Sequence, residues 1–126
     1  MNHILSVNQF KKDDLENILE YASVMERQYK SGKVEKLLEN KIIACIFFEP
    51  STRTRLSFET AALKLGAQVI SAENAMGNSS AFKGETIEDT TRMLCSYADI
   101  VVIRHPEAGT LEKAEVPSYP QAFVYQ

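Results

Sequence analysis

The sequence predicts an α/β fold: a doubly wound, mostly parallel four-stranded sheet with helices on both faces. Two observations predict it. Segments of helical periodicity alternate with short apolar runs, in the order α, β, α, β, α, β, α, β, and such alternation builds parallel sheets flanked by helices. The first apolar run, residues 41–48, is continuous where a half-exposed strand would alternate. Continuity of that kind marks a strand covered on both faces. A length of 126 residues suits one domain that can bury a core.

The elements follow in order. Residues 12–30 read as a helix, because Leu15, Ile18, Leu19, Ala22 and Met25 recur on one helical face. Asp13 and Asp14 suit its N-terminus, and Ser31-Gly32 stops it. A short helical turn is expected over residues 34–40. The strand at 41–48 is broken by Glu49-Pro50-Ser51-Thr52, where Pro50 cannot donate to a ladder. A helix is expected from about Arg53 to Leu65, with Leu56, Ala61, Leu63 and Leu65 among its apolar residues and Gly66 as its stop. Residues 67–71 form a second strand and residues 73–83 a polar, small-residue loop. A third helix spans 84–97, with Ile87, Thr90, Met93, Leu94 and Tyr97 in register. A third strand covers 99–103, a weak helix 107–115 and a fourth strand 122–125.

Composition excludes several classes. Fourteen Lys and Arg against seventeen Asp and Glu leave a net charge of −3, against the basic surplus of a nucleic-acid module or a polybasic membrane anchor. No apolar run approaches the roughly 20 residues of a membrane helix. The start, Met-Asn-His-Ile-Leu-Ser, lacks the basic and apolar regions of a secretory leader. Cys45 and Cys95 read as buried, reduced thiols of a cytoplasmic protein, with too few ligands nearby for a metal site. His3 reads as a surface residue.

The densest chemical signal follows the first strand: Phe47-Phe48-Glu49-Pro50-Ser51-Thr52-Arg53-Thr54-Arg55. Three hydroxyls and two guanidiniums fall within five residues, between a buried strand and a helix. A helix N-terminus offers unpaired N–H groups and a positive dipole end, hydroxyls add donors, and guanidinium fits phosphate as a fork. The plainer alternative is that Ser51 or Thr52 caps the helix and Arg55 pairs with Glu59 at i, i+4. A cap needs only one of these residues, so Ser51, Thr52, Arg53 and Thr54 together point to a phosphate group. Arg55 is better read as structural. Neither Gly-x-x-x-x-Gly-Lys-Ser/Thr nor Gly-x-Gly-x-x-Gly is present, so no nucleotide loop is implied.

Ser51-Thr52-Arg53-Thr54-Arg55 after Phe-x-x-Pro resembles the carbamoyl-phosphate signature of the aspartate and ornithine carbamoyltransferases. Ser79-Ser80-Ala81-Phe82-Lys83-Gly84-Glu85-Thr86 resembles a loop of the aspartate enzymes in which a Ser and a Lys act. Ile103-Arg104-His105-Pro106-Glu107 resembles the family's Arg-His-Pro stretch. The similarity runs from about His3 to Gly109.

The resemblance implies carbamoyl transfer from carbamoyl phosphate to aspartate, in pyrimidine biosynthesis, with no metal or organic cofactor. It implies that Ser51, Thr52, Arg53 and Thr54 hold the phosphate, with Thr54 also near the carbonyl oxygen. Arg104 would polarise that oxygen and touch phosphate; taken alone it reads as a solvated strand-end charge. Ser79 and Lys83 would act in a neighbouring subunit, so catalytic roles fall to Thr54, Arg104 and Lys83; taken alone Lys83 reads as solvated. A homotrimer, with or without regulatory chains, is implied. His105 would point opposite to Arg104 by strand alternation, which favours a structural role. Glu85 either orients Arg53 or begins a helix. Residues 1–126 correspond to the family's carbamoyl-phosphate domain. The second, amino-acid-binding domain and the His and Gln that complete the site are absent, and residues 109–126 follow the pattern poorly. The chain alone is therefore expected to be incomplete for catalysis. Competing readings are an ornithine-enzyme fragment and a non-catalytic interaction module of the same fold.

Overall fold

The computed structural model describes residues 3–73 and 84–113. Within them a three-stranded parallel sheet has the order β2-β1-β3, with β1 Ile42–Phe47, β2 Gln68–Glu73 and β3 Ile100–Arg104. The helices are α1 Lys12–Ser31, α2 Thr52–Lys64, α3 Ile87–Tyr97 and the short α4 Thr110–Lys113. The fourth strand expected at 122–125 and the end of the expected helix 107–115 lie outside the described residues.

The apolar run around β1 behaves as its composition requires. As the central strand it sends successive side chains to opposite faces. Ala44, Ile46 and Phe48 pack with Val101, Ile103, Leu94, Ala98 and Leu111 on the side of α3 and α4. Ile43, Cys45 and Phe47 pack with Val102, Ala62 and Ala67 on the side of α2. Helices thus cover both faces, as in a doubly wound sheet.

The register is fastened at both ends. At the lower end the Ile42 N–H donates to Asp99 Oδ2 at 2.9 Å, and Lys41 Nζ lies 3.1 Å from Asp99 Oδ1. At the upper end Phe47 faces Glu73 on one side and Arg104 on the other, and the Phe48 N–H donates to the Arg104 carbonyl at 2.9 Å. That upper rim carries the carboxyl ends of all three parallel strands, where α/β proteins place their ligands.

Several expectations shift. In α2 the buried residue is Ala62, with Phe58 packed beside it, while Leu56 and Leu63 face outward. A stripe through positions 58, 62 and 65 meets the sheet, so apolar residues off that stripe stay exposed. In α3 the register holds for Thr90 and Leu94, but Tyr97 is exposed. Its N-cap is Thr86, whose hydroxyl accepts from the Asp89 N–H at 3.2 Å, so the helix starts later than position 84. Residues 37–40 form turns instead of a helical turn, with Asn40 at φ 64°. Cys45 is buried but Cys95 only half-buried, and both are free thiols. His3 is half-buried.

Helix α1 forms where expected and ends at Gly32, whose φ of 72° is open to glycine without strain. Its apolar stripe is nevertheless uncovered: Leu15, Ile18 and Leu19 are 42%, 48% and 67% exposed.

Candidate functional site

The turn between β1 and α2 stands on the upper rim. Ser51 is the N-cap of α2, yet its side chain makes no capping hydrogen bond. Its hydroxyl instead accepts from Arg104 Nη1 at 2.8 Å. Arg104 Nε donates to Glu49 Oε1 at 2.6 Å, so the guanidinium is held at the end of β3 by two groups of the turn. The plain reading of Arg104 as a solvated strand-end charge does not hold, because its side chain is only 30% exposed.

With Ser51 drawn aside, the N–H groups of Thr52, Arg53 and Thr54 have no partner among the described residues. The first turn of α2 carries no acidic residue of its own; the acid at this end, Glu73, comes from β2. The rim therefore presents three backbone donors and the Arg104 guanidinium, with the Thr52 hydroxyl turned to Glu73. That set can bind a tetrahedral anion and can stabilise negative charge growing on an adjacent carbonyl oxygen.

A second network lies on the β2 side. Glu73 Oε1 accepts from the Ser51 N–H at 3.2 Å and from the Thr52 hydroxyl at 3.4 Å. Glu73 Oε2 stands 3.4 Å from Arg55 Nη2. Arg55 Nη1 donates to Glu59 at 2.8 Å, the i, i+4 pair expected from the sequence, and to the Ser71 hydroxyl at 3.1 Å. Ser71 in turn donates to Glu59. Beneath this network the thiol of Cys45 is pushed up to about 11, chiefly by burial, then by the Glu59 charge, with Arg55 opposing.

The remaining candidates are placed differently. Thr54 is half-buried, and its carbonyl accepts from the Ser57 hydroxyl at 2.7 Å. Arg53 is exposed and borders an open groove of about 700 Å³ between α1 and α2, beside Met25, Tyr29, Leu56 and Lys64. Thus Ser51, Thr52 and Arg104 come together, whereas Arg53 lies on the outer side of the helix. Ser79 and Lys83 lie outside the described residues. Glu85 accepts from the Thr90 hydroxyl at 3.1 Å, which supports its reading as part of a helix start. His105 Nδ1 accepts from the Glu107 N–H at 3.1 Å, and its ring tilts against Phe48 at 5.1 Å, a local structural role.

Sequence reasoning missed Glu49 and Glu73. The available signal was charge: each acid stands at a strand end on the rim that also carries Arg55 and Arg104. Among the described residues no helix is long and apolar enough to cross a membrane.

The family profile described as aspartate/ornithine carbamoyltransferase, carbamoyl-P binding domain, matches residues 2–121. An aspartate carbamoyltransferase catalytic subunit of Picrophilus torridus is 48% identical over 108 residues, 86% of this chain and 35% of that protein. The catalytic subunit of M. jannaschii aspartate transcarbamoylase superposes with a TM-score of 0.87 at 43% identity, covering 98% of this chain and 40% of that one. The Trypanosoma cruzi aspartate transcarbamoylase, solved in complex with carbamoyl phosphate and aspartate, superposes with a TM-score of 0.83 at 38% identity, covering 98% and 40%. The chain spans about a third of the length of the curated relatives it matches. By sequence and by fold, the chain belongs to the aspartate/ornithine carbamoyltransferase family and matches its carbamoyl-phosphate-binding domain.

Proposed function

We propose that this chain is the carbamoyl-phosphate-binding part of an aspartate carbamoyltransferase of pyrimidine biosynthesis. The observation that carries the reading is the Ser51–Arg104 contact at 2.8 Å, which holds a guanidinium beside an α2 N-terminus whose first N–H groups have no partner among the described residues. The relatives named aspartate carbamoyltransferase support the aspartate branch over the ornithine branch.

In this reading the phosphate group sits on the N–H groups of Thr52, Arg53 and Thr54, and the hydroxyls of Ser51, Thr52 and Thr54 turn toward it. Arg53 leaves the groove and closes on the phosphate from the outer side. Arg104 exchanges part of its contact with Glu49 and Ser51 for the carbonyl oxygen of the carbamoyl group. The aspartate amine attacks the carbamoyl carbon, a tetrahedral intermediate forms, and its oxyanion is stabilised by Arg104 and Thr54. Collapse breaks the C–O bond to phosphate, which leaves toward the α2 N-terminus and takes up the proton that the nitrogen gives up. Most of the rate comes from placement and fixed charge. Ser79 and Lys83 serve the site of a neighbouring copy in a homotrimer, with or without regulatory chains. Aspartate binds through the second domain that the family resemblance implies, outside the carbamoyl-phosphate-binding part. The working compartment is the cytoplasm.

Calorimetric titration of carbamoyl phosphate into the chain and into Arg104→Ala tests the reading. One charge-assisted contact to the ligand corresponds to roughly 10- to 100-fold in affinity. Saturable binding weakened to that extent in folded Arg104→Ala is the expected result. Binding that is unchanged in the variant overturns the assignment of Arg104.

A further inference from the structure

We propose that Glu73 is a positioning residue for the phosphate turn: it holds Ser51 in a non-capping conformation and so keeps the first N–H groups of α2 open to the anion. The inference rests on reading that turn as the carbamoyl-phosphate site.

Serine is among the best N-cap residues, and a capping hydroxyl takes the N–H of the second or third helical residue. In this turn those are the N–H groups of Arg53 and Thr54, which an anion at the helix N-terminus requires. A capping Ser51 would therefore compete with the ligand from within the chain. The protein contains its own contrast. Thr86, the N-cap of α3, adopts φ −76° and ψ 156° and caps with its hydroxyl. Ser51 adopts φ −154° and ψ 65° and does not cap.

Two anchors hold Ser51 off the cap, one from each edge strand. Arg104 of β3 takes its hydroxyl at 2.8 Å. Glu73 of β2 takes its N–H at 3.2 Å. Arg104 has its own task on the substrate, so when it turns toward the carbonyl oxygen Glu73 is the anchor among the described residues that still restrains the turn. Both oxygens of Glu73 are committed: Oε1 to Ser51 and Thr52, Oε2 to Arg55 at 3.4 Å. Arg55 is fixed behind it by Glu59 and Ser71 and balances one negative charge. The β1–β2 register sets Glu73 level with Phe47, the last residue of β1, so the carboxylate is placed by the sheet itself.

Three variants test the proposal. Glu73→Gln keeps an acceptor for the Ser51 N–H and loses the charge. Glu73→Ala loses both, and Glu73→Met loses the acceptor while keeping the stem's bulk, should alanine disturb the fold. The probes are inorganic phosphate and carbamoyl phosphate, titrated calorimetrically into the full chain, with amide hydrogen exchange followed by NMR. The expected result is wild-type or tighter binding in Glu73→Gln and about tenfold weaker binding in Glu73→Ala and Glu73→Met than in Glu73→Gln, one charge-assisted hydrogen bond in size. In an Arg104→Ala background, which removes the other anchor, the Arg53 or Thr54 amide should become more protected from exchange in Glu73→Ala and Glu73→Met, because the Ser51 hydroxyl now caps it. A residue that merely stabilised the fold would lower that protection. Equal binding by all variants, or unaltered exchange at both amides, overturns the positioning role and leaves the site reading intact. No saturable binding by the folded wild-type chain overturns both.

Discussion

Replacing Asp99 by asparagine removes one negative charge from the joint that fastens the lower ends of β1 and β3. The carboxylate accepts from the Ile42 N–H at 2.9 Å and pairs with Lys41 Nζ at 3.1 Å. Asparagine keeps an acceptor for Ile42 and forfeits the charge on both contacts. A hydrogen bond to a charged group contributes about 1.5–3 kcal/mol, against about 1 for a neutral one. An exposed ion pair adds at most about 1 kcal/mol. The Asp99 side chain is 35% exposed and that of Lys41 52%, so solvent screening halves these figures to about 1 kcal/mol for Asp99→Asn. In a domain of this size that corresponds to a fall in Tm of about 4 °C. The pH dependence has a definite sign. The Ile42 N–H first, and then Lys41, hold the Asp99 carboxyl below its ordinary value. A carboxyl depressed in the folded state stabilises above its unfolded pKa and loses that contribution as pH falls through the folded one. Thermal unfolding followed by circular dichroism should show the full gap between wild type and Asp99→Asn at neutral pH, and the gap should close in acid as the depressed carboxyl takes up its proton. An Asp99→Asn chain as stable as wild type at pH 7, or a gap that persists undiminished in acid, refutes the reasoning.

Other outcomes follow from the same geometry. Cys45, fully buried with its thiol pushed up to about 11, should resist thiol reagents until the chain unfolds, whereas half-buried Cys95 should react first; mass spectrometry of timed alkylation distinguishes them. Thr86→Ala should destabilise by about 1 kcal/mol in urea unfolding through loss of the α3 cap. Gly66→Ala should destabilise by about 1–3 kcal/mol in the same assay, since Gly66 sits at φ 88° and an added Cβ would lie 3.0 Å from the Lys36 Cβ. Leu94→Ala, at a residue only 3% exposed between α3 and the sheet, should cost about 2–4 kcal/mol.

Much of the fold could be read from residue patterns because burial on both faces leaves a strong mark. The run from Ile42 to Phe48 has no polar residue to place outward, so it had to be a central strand. Ser31-Gly32 and Gly66 punctuate for conformational reasons that hold in any context. The faces of the helices were less legible. Leu56 and Leu63 are as apolar as any core residue, and only the angle at which α2 meets the sheet leaves them outside. In α1 the periodic stripe was correct, but periodicity says nothing about what covers it. At the site, Ser51 and Arg104 are 53 positions apart, and only the register of β3 against β1 brings them together. Glu49 and Glu73 escaped notice because an acid beside an anion site conflicts with simple charge counting. Their work is done through a guanidinium and a backbone N–H, neither of which composition displays.

The strand order β2-β1-β3 also has a kinetic side. Ile42 of β1 pairs with Gln68 of β2, but Ile43 pairs with Ile100 of β3, across a segment about twice as long. Doubling a loop adds only about 0.6 kcal/mol of closure entropy, so chain length alone barely decides which edge docks first. The nearer edge has a further advantage, because α2 packs on both β1 and β2 and can form with them as a local unit. The β1-α2-β2 segment, which already contains Glu49, Ser51, Arg55 and Glu73, is then expected to form first, with β3 and Arg104 docking later. The turn before α2 would be shaped early and acquire the Arg104 guanidinium last, so chains caught before β3 docks would be compact yet lack that charge on the upper rim.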